Sequence, residues 1–214
     1  MLYSDVYQYI TKTNVDGEYN YQIYASTYVY DTQVQDMAVS YPSGESFVMK
    51  EADSIYSIYE FLSDTQSEPF ESGTYELKAT LEDGSTATAS DGMSYYGVLP
   101  VEIISCAYVV VEDSGSVKFE FTTDENADGY EFYIKNSSGA ILYSSVLIGD
   151  VSELGDNQSL TISSDRFSTS VSYYEGEDFK LQINAVDFQM ITYTQATKHT
   201  LAATTFDFVW GVEN

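Results

Sequence analysis

Positive charge is scarce in this sequence: 8 lysines and arginines stand against 34 aspartates and glutamates, a formal net charge of -26. Phosphate recognition needs clustered cations, so a nucleic-acid partner is excluded, and an anionic membrane surface is disfavoured on the same ground. Cysteine is scarcer still. Cys106 stands alone, so no intrachain disulfide can form and the Cys pair of antibody-type sandwiches is missing. His199 is the single histidine, and a zinc site would have to draw carboxylates from several strands. There is no glycine-rich phosphate loop, nucleophile elbow or zinc motif. No apolar run has the length of a transmembrane helix, and the N-terminus MLYSDVYQYI has neither the basic nor the apolar region of a signal segment. A Met set directly before a strand-like run suits a chain whose signal segment was removed upstream, and that is the expectation here.

What is present favours strands. The chain holds 21 Tyr and 11 Phe with many Val, Ile and Thr residues, the mixture that fits pleated, half-buried surfaces, and only 3 Pro to interrupt them. Its 214 residues suffice for two β-sandwiches of about 100 residues each. The expected fold class is all-β, two tandem β-sandwich domains, 1–99 and 100–214, with the boundary at Gly97-Val98-Leu99-Pro100-Val101, where Pro100 cannot donate to a ladder.

In the first domain strands are expected at Leu2–Thr11, Tyr19–Tyr30, Val34–Tyr41, Ser46–Lys50 and Ser54–Leu62. The last of these also satisfies a helical spacing through Ile55, Ile58, Tyr59 and Leu62. Asp16-Gly17 and Pro42-Ser43-Gly44 read as turns. The strongest hairpin signal follows, where Tyr75, Leu77, Ala79 and Leu81 alternate with polar residues and Asp83-Gly84 turns the chain into Ser85–Ala89. In the second domain strands are expected at Ile103–Val111, Ser116–Thr122, Gly129–Asn136, Ala140–Val146, Gln158–Ser163, Phe179–Val186 and His199–Val209, with one helical turn at 151–154.

Val117–Phe121, Gly129-Tyr130-Glu131-Phe132-Tyr133 and Phe179–Val186 resemble strands B, C and F of a fibronectin type III domain, with Phe121 where Trp is common and Phe179 where Tyr is common. Glu71-Ser72-Gly73-Thr74-Tyr75 resembles the approach to strand F of immunoglobulin-like domains, which implies a tyrosine corner at Tyr75; Leu77 stands where the usual Cys would follow. The tandem as a whole is similar to ectodomains of secreted bacterial surface lipoproteins. That resemblance implies an immunoglobulin-like domain followed by a fibronectin type III-like one, outside the cytoplasm at the cell surface or secreted, with a lipid anchor carried upstream.

Two clusters of residues invite chemistry. Asp124, Asn126 and Asp128 with Gly129 reproduce the opening D-x-N-x-D-G of a calcium loop, whose alternating oxygens surround a hard cation, but Lys135 occupies the twelfth position that needs a bidentate Glu. The same residues suit a turn capped by its own side chains. No cofactor is therefore expected, with calcium at these three residues the one metal candidate. Tyr24, Tyr28 and Tyr30 lie on the strand face opposite Ile23, Ala25 and Val29, and Tyr95, Tyr96, Tyr173 and Tyr174 fall near loops. Such a tyrosine face suits a sugar ring or a protein partner, and equally suits a cross-strand ladder that stabilises the sheet. Trp210 reads as packed on a sheet edge. A Cys106–His199 dyad is possible on paper, since such pairs are set by spatial and not sequence proximity, but buried strand positions explain both residues more simply. The function these features suggest is a non-enzymatic extracytoplasmic binding or adhesion protein whose ligand is a surface protein or glycan. A structural spacer, or an accessory module of a polysaccharide-degrading enzyme, is the alternative.

Overall fold

The computed structural model of the protein describes residues 2–13, 17–29, 33–53, 57–93, 98–111, 114–148, 157–167, 176–192 and 195–212. Tyr30, Tyr95, Tyr96, Tyr173, Tyr174, the turn residues 14–16, the segment 54–56 and the helical turn expected at 151–154 lie outside the described residues. The fold is an all-β sandwich. Among the described residues the one helical element is a single 3-10 turn at Ser164–Arg166. The residues group into two compact units: Met1–Tyr9 with Asn20–Gly97, and Ile10–Tyr19 with Val98–Asn214.

The first unit holds β1 (Leu2–Thr13) up to Tyr9, β2 (Tyr19–Val29), β3 (Val34–Ser40), β4 (Ser46–Val48), β5 (Lys50–Asp53), β6 (Ile58–Leu62), β7 (Gly73–Leu81) and β8 (Thr86–Met93). Within it the hydrogen-bonded orders are β1-β2-β6-β5 and β4-β3-β7-β8. Alternation builds the core. Along β2, Ile23, Ala25, Thr27 and Val29 are buried while their neighbours are half-buried; along β7, Tyr75, Leu77 and Ala79 are buried while Thr74, Glu76 and Lys78 are exposed. Each large aliphatic side chain so buried contributes about 1.5–3 kcal/mol. The expected Asp83-Gly84 turn is there, with Gly84 at φ 80° and the Asp83 carboxylate accepting from the Ser85 amide at 2.8 Å. The Tyr75 hydroxyl donates to the Glu71 carbonyl at 2.9 Å, tying the strand to the loop that feeds it. Gly73 sits at φ 153° with Pro42 so close that an added Cβ would lie 2.8 Å from its ring.

One sequence expectation changes in this unit. The single strand expected at Ser46–Lys50 is two strands in different sheets: β4 pairs with β3 and β5 with β6. Met49 between them is 4% exposed, so one buried apolar residue serves both sheets and leaves no turn signal in the sequence. The ambiguous segment up to Leu62 is extended where it is described, from Ile58, and pairs with β2 through Ala25↔Phe61 and Tyr24↔Leu62.

The second unit contains β9 (Ile103–Val111), β10 (Ser114–Thr122), β11 (Gly129–Asn136), β12 (Ile141–Ile148), β13 (Asn157–Ser163), β14 (Asp178–Thr192) and β15 (Gln195–Val209). Its orders are β13-β10-β9 and β12-β11-β14-β15. Ile10–Thr13 joins it as a parallel neighbour of β15, with Ile10 opposite Ala202 and Thr13 opposite Thr205. Aromatic rings fill its core: Phe121 meets Phe132 at 5.3 Å and Tyr130 at 6.0 Å between centroids, and Phe119 meets Phe132 at 5.8 Å. Trp210 is buried against Tyr108, Phe167 and Phe179, all within 5.8 Å. β14 and β15 run further than the apolar alternation indicated, since their hairpin continues through the polar pairs Asp187↔His199 and Gln189↔Thr197.

Candidate functional site

Tyr24 is placed by the alternation of β2: its neighbours Ile23 and Ala25 point into the core, so its own ring lies on the outward face of the sheet. There it packs against Tyr7, with ring centroids 5.0 Å apart, and donates its hydroxyl to Glu60 Oε1 at 2.5 Å. Partial burial, reinforced by that carboxylate acceptor, holds the phenol far above its ordinary ionisation range. Tyr28 lies two pairs further along the same face, half-buried and opposite Ile58. The third member expected of this face, Tyr30, is outside the described residues. Tyr24 and Tyr28 are thus ladder residues of the sheet with part of each ring accessible.

Beside Tyr24 opens a cavity of about 530 Å³, inside the roughly 300–1,000 Å³ range of small-molecule sites. Glu60 and Lys50, register partners on β6 and β5, supply opposite charges in its wall, and Val48, Ala52, Phe61 and Leu62 supply apolar surface. Val48 is 75% exposed and Leu62 55% exposed, more than any other large apolar residues among those described. Phe61 and Leu62 also line a second, 300 Å³ cavity with Tyr41, Phe47, Ser63 and Asp64. Its aromatic wall is a chain of ring contacts: Phe47 stacks on Phe61 at 5.3 Å and Tyr41 packs against Phe47 at 4.9 Å. Burial pushes the Tyr41 phenol up to about 12. The face of Tyr24 follows from the alternation of β2, whereas the convergence of Val48, Lys50 and Leu62 depends on the sheet switch at Met49 and leaves no local signal.

The acidic loop is organised differently from a cation cradle. Asp124 Oδ1 accepts from the Asn126 amide and from Asn126 Nδ2, both at 2.9 Å, and Oδ2 accepts from the Leu99 amide at 3.0 Å. The Asp124 amide donates to the Tyr130 hydroxyl at 2.6 Å, fastening the loop to a fully buried ring. Asp128 is exposed and its amide donates to the Val186 carbonyl at 2.9 Å. Lys135, at the position of the missing last ligand, donates to Gln182 Oε1 across the sheet at 2.7 Å. Among the described residues no group of three or more His, Cys, Asp or Glu is disposed to hold a metal ion.

A further polar constellation belongs to the second unit. Lys12 Nζ donates to both oxygens of Glu102, at 2.7 and 2.8 Å, and lies 5.1 Å from the centroid of the Tyr19 ring, while the Tyr19 hydroxyl donates to Glu102 Oε1 at 2.9 Å. Hydrogen bonding from Lys12 holds the Glu102 carboxyl below its ordinary value. Cys106 is buried on β9 and burial pushes its thiol up to about 11, so it is protonated at neutral pH. His199 is on β15, in the other sheet of the unit, with Asp187 as its register partner.

No known protein family matches the chain, and no curated protein matches it. Among solved structures it is similar to a DUF4785-family protein from Legionella pneumophila, at 10% identity and a TM-score of 0.30 over 86% of this chain and 52% of that one. It is similar also to dimeric latent PorU from Porphyromonas gingivalis, at 8% identity and a TM-score of 0.27 over 92% of this chain and 18% of that one. A Salmonella alpha-2-macroglobulin reacted with methylamine gives 8% identity and a TM-score of 0.25 over 98% and 15%. The chain therefore spans about half the length of the first and less than a fifth of the other two.

Proposed function

We propose that this chain is a non-enzymatic binding or adhesion protein of the bacterial cell surface, and that a surface protein or glycan is held at the cavity beside Tyr24. The observation that carries the reading is the cavity itself: 530 Å³, walled by exposed Val48 and Leu62, with the charges of Lys50 and of Glu60, the latter held by the Tyr24 hydroxyl, in its wall. Apolar surface left exposed around a few oriented polar groups is the usual construction of a ligand site, and it costs solubility unless something is bound there.

The finer fold reading behind this proposal is an immunoglobulin-like sandwich followed by a fibronectin type III-like one. Taken in chain order, β1-β2-β6-β5 and β4-β3-β7-β8 follow the A-B-E-D and C-F-G arrangement with one added strand, and β7 falls in the place of strand F, where the Tyr75 tie belongs. In the second unit β10 takes the place of B, with β11 and β14 in the places of C and F. The extracytoplasmic setting and the upstream lipid anchor rest on the resemblance to surface lipoproteins, and the Asp124 loop serves this reading as a structural turn.

The test is an array of surface glycans and extracellular proteins probed with the wild-type chain and with Leu62→Asp. The reading expects a binder at micromolar concentration that the variant loses while keeping its melting temperature, since Leu62 is exposed. An array without binders, or one on which both proteins bind alike, overturns it.

A further inference from the structure

Four aromatic rings, those of Tyr41, Phe47, Phe61 and Phe70, line the second cavity of the first unit. Tyr41 opens the turn between β3 and β4, where its amide donates to the Glu45 carbonyl at 2.8 Å and its carbonyl accepts from the Gly44 amide at 2.9 Å. Phe47 stands on β4 and Phe61 on β6 of the opposite sheet. Phe70 precedes β7 and is held by its amide, which donates to Gln8 Oε1 at 2.8 Å in a buried hydrogen bond. The rings lie in several planes, since Phe70 stands at 89° and Phe61 at 71° to Tyr41, with centroids 5.9 and 6.5 Å away. Such a set makes walls instead of a stack.

Charge supplies a second observation. The same lining carries two carboxylates, Glu45 and Asp64, and no lysine or arginine. Both residues are exposed, and among the described residues neither carboxylate makes a hydrogen bond or an ion pair. Their fields reach the rings: the Tyr41 phenol is pushed up first by burial, against a lowering hydrogen bond with Ser63, and then by the charges of Glu45 and Asp64. An aromatic face is the negative part of the ring's quadrupole, so rings and carboxylates attract the same occupant, an organic cation. In the second unit the chain supplies such cations itself, with Lys12 Nζ 5.1 Å from the Tyr19 centroid and Lys135 Nζ 5.8 Å from that of Tyr133. Among the described residues the four rings of this cavity have no cation from the chain over them, and Lys50 lines the neighbouring cavity instead.

The kind of cation follows from what the walls offer. A primary ammonium is a compact, strongly hydrated charge with three donors, and ring walls return little of the hydration it gives up. Ser63 is already engaged, accepting from the Ile23 amide at 2.8 Å and donating to the Asp64 carbonyl at 2.9 Å. A quaternary ammonium has no N–H to satisfy and presents methyl groups to the rings. The cavity, at 300 Å³, stands at the lower end of the roughly 300–1,000 Å³ range of small-molecule sites, which suits a single head group.

We propose that the cavity of Tyr41, Phe47, Phe61 and Phe70 is a site for a quaternary ammonium head group, held by cation–π contacts with the rings and by the charges of Glu45 and Asp64. It stands apart from any ligand held beside Tyr24, although Phe61 and Leu62 line both cavities.

Nuclear magnetic resonance titration of the full chain at about 0.15 M salt, where distant charges are screened, tests this with choline and with its uncharged isostere dimethylbutanol, which has carbon in place of the nitrogen. Choline is expected to saturate at about millimolar concentration or below and to shift signals within 41–47 and 61–70, whereas the isostere shifts none of them. Glu45→Gln/Asp64→Asn removes two exposed charges and keeps the side-chain shapes, and Phe47→Leu keeps an apolar residue on β4. Each is expected to weaken choline binding at least about tenfold. Lys50→Gln, which alters only the cavity beside Tyr24, leaves it unchanged. Flotation with phosphatidylcholine vesicles identifies the source of the head group: co-flotation that free choline displaces assigns it to a lipid surface, and choline binding without co-flotation assigns it to a soluble compound. Saturation by neither choline nor vesicles, equal shifts by the isostere, ethanolamine bound as tightly as choline, undiminished binding in Glu45→Gln/Asp64→Asn or in Phe47→Leu, or a loss in Lys50→Gln overturns the site.

Discussion

Lys12 is 8% exposed in its side chain and Glu102 is 41% exposed, so the two ends of one ion pair have unequal access to water. Losing either partner strands the other, but a stranded carboxylate at the rim can rehydrate whereas a buried ammonium cannot. Glu102→Gln is therefore expected to destabilise the protein by about 1–3 kcal/mol and Lys12→Met by less, as read from urea denaturation midpoints. Equal costs would mean that the buried ammonium is supported elsewhere. The pair also sets an acid limit. Because the Glu102 carboxyl is held below its ordinary value of 4.5, its contribution is fully present above that value and disappears as pH falls through the lower folded-state value. In Glu102→Gln this part of the acid sensitivity is absent.

At the scale of elements, β7 is fixed by a single hydroxyl as well as by its alternating core residues. Tyr75→Phe keeps the buried ring and removes the donor to Glu71, so the expected cost is about 0.5–1.5 kcal/mol with an unchanged fold, measured by thermal or urea unfolding. The β7–β8 pairing and its turn are legible in the sequence because alternation and an Asp-Gly turn are local signals, although β8 runs on to Met93 beyond the expected Ala89, and β11 is legible to its end residues for the same reason. What escaped is non-local. The switch at Met49 hides in an unbroken apolar run, and Lys12 meets Glu102 across 90 positions of sequence. The candidate site divides likewise: Tyr24 follows from the period of β2, whereas the cavity beside it needs Val48, Lys50 and Leu62 from three further strands. The acidic loop shows the opposite failure, a local motif whose first carboxylate is already engaged by Asn126 and Leu99.

For the whole molecule the dominant quantity is charge. With 34 acidic residues and 8 basic ones, the folded state carries repulsion that salt relieves. Raising ionic strength from about 0.01 to about 0.15 M shortens the screening length from about 30 to about 8 Å and is expected to raise the melting temperature, by about 2–4 °C for each 1 kcal/mol relieved. A scanning calorimetry series in which the melting temperature falls with salt would contradict this. The same charge keeps the molecule soluble while it leaves Val48 and Leu62 in water, which is how a protein of this composition can maintain an open apolar site.

The affinity of a ligand recovered from the array, measured by calorimetry for the wild type, for Val48→Asp/Leu62→Asp and for Val146→Lys, tests the proposed site beside Tyr24. The prediction is micromolar binding by the wild type, unchanged in Val146→Lys and weakened at least about tenfold, or 1.4 kcal/mol, in the double variant. Equal affinity in all three proteins would contradict a site beside Tyr24.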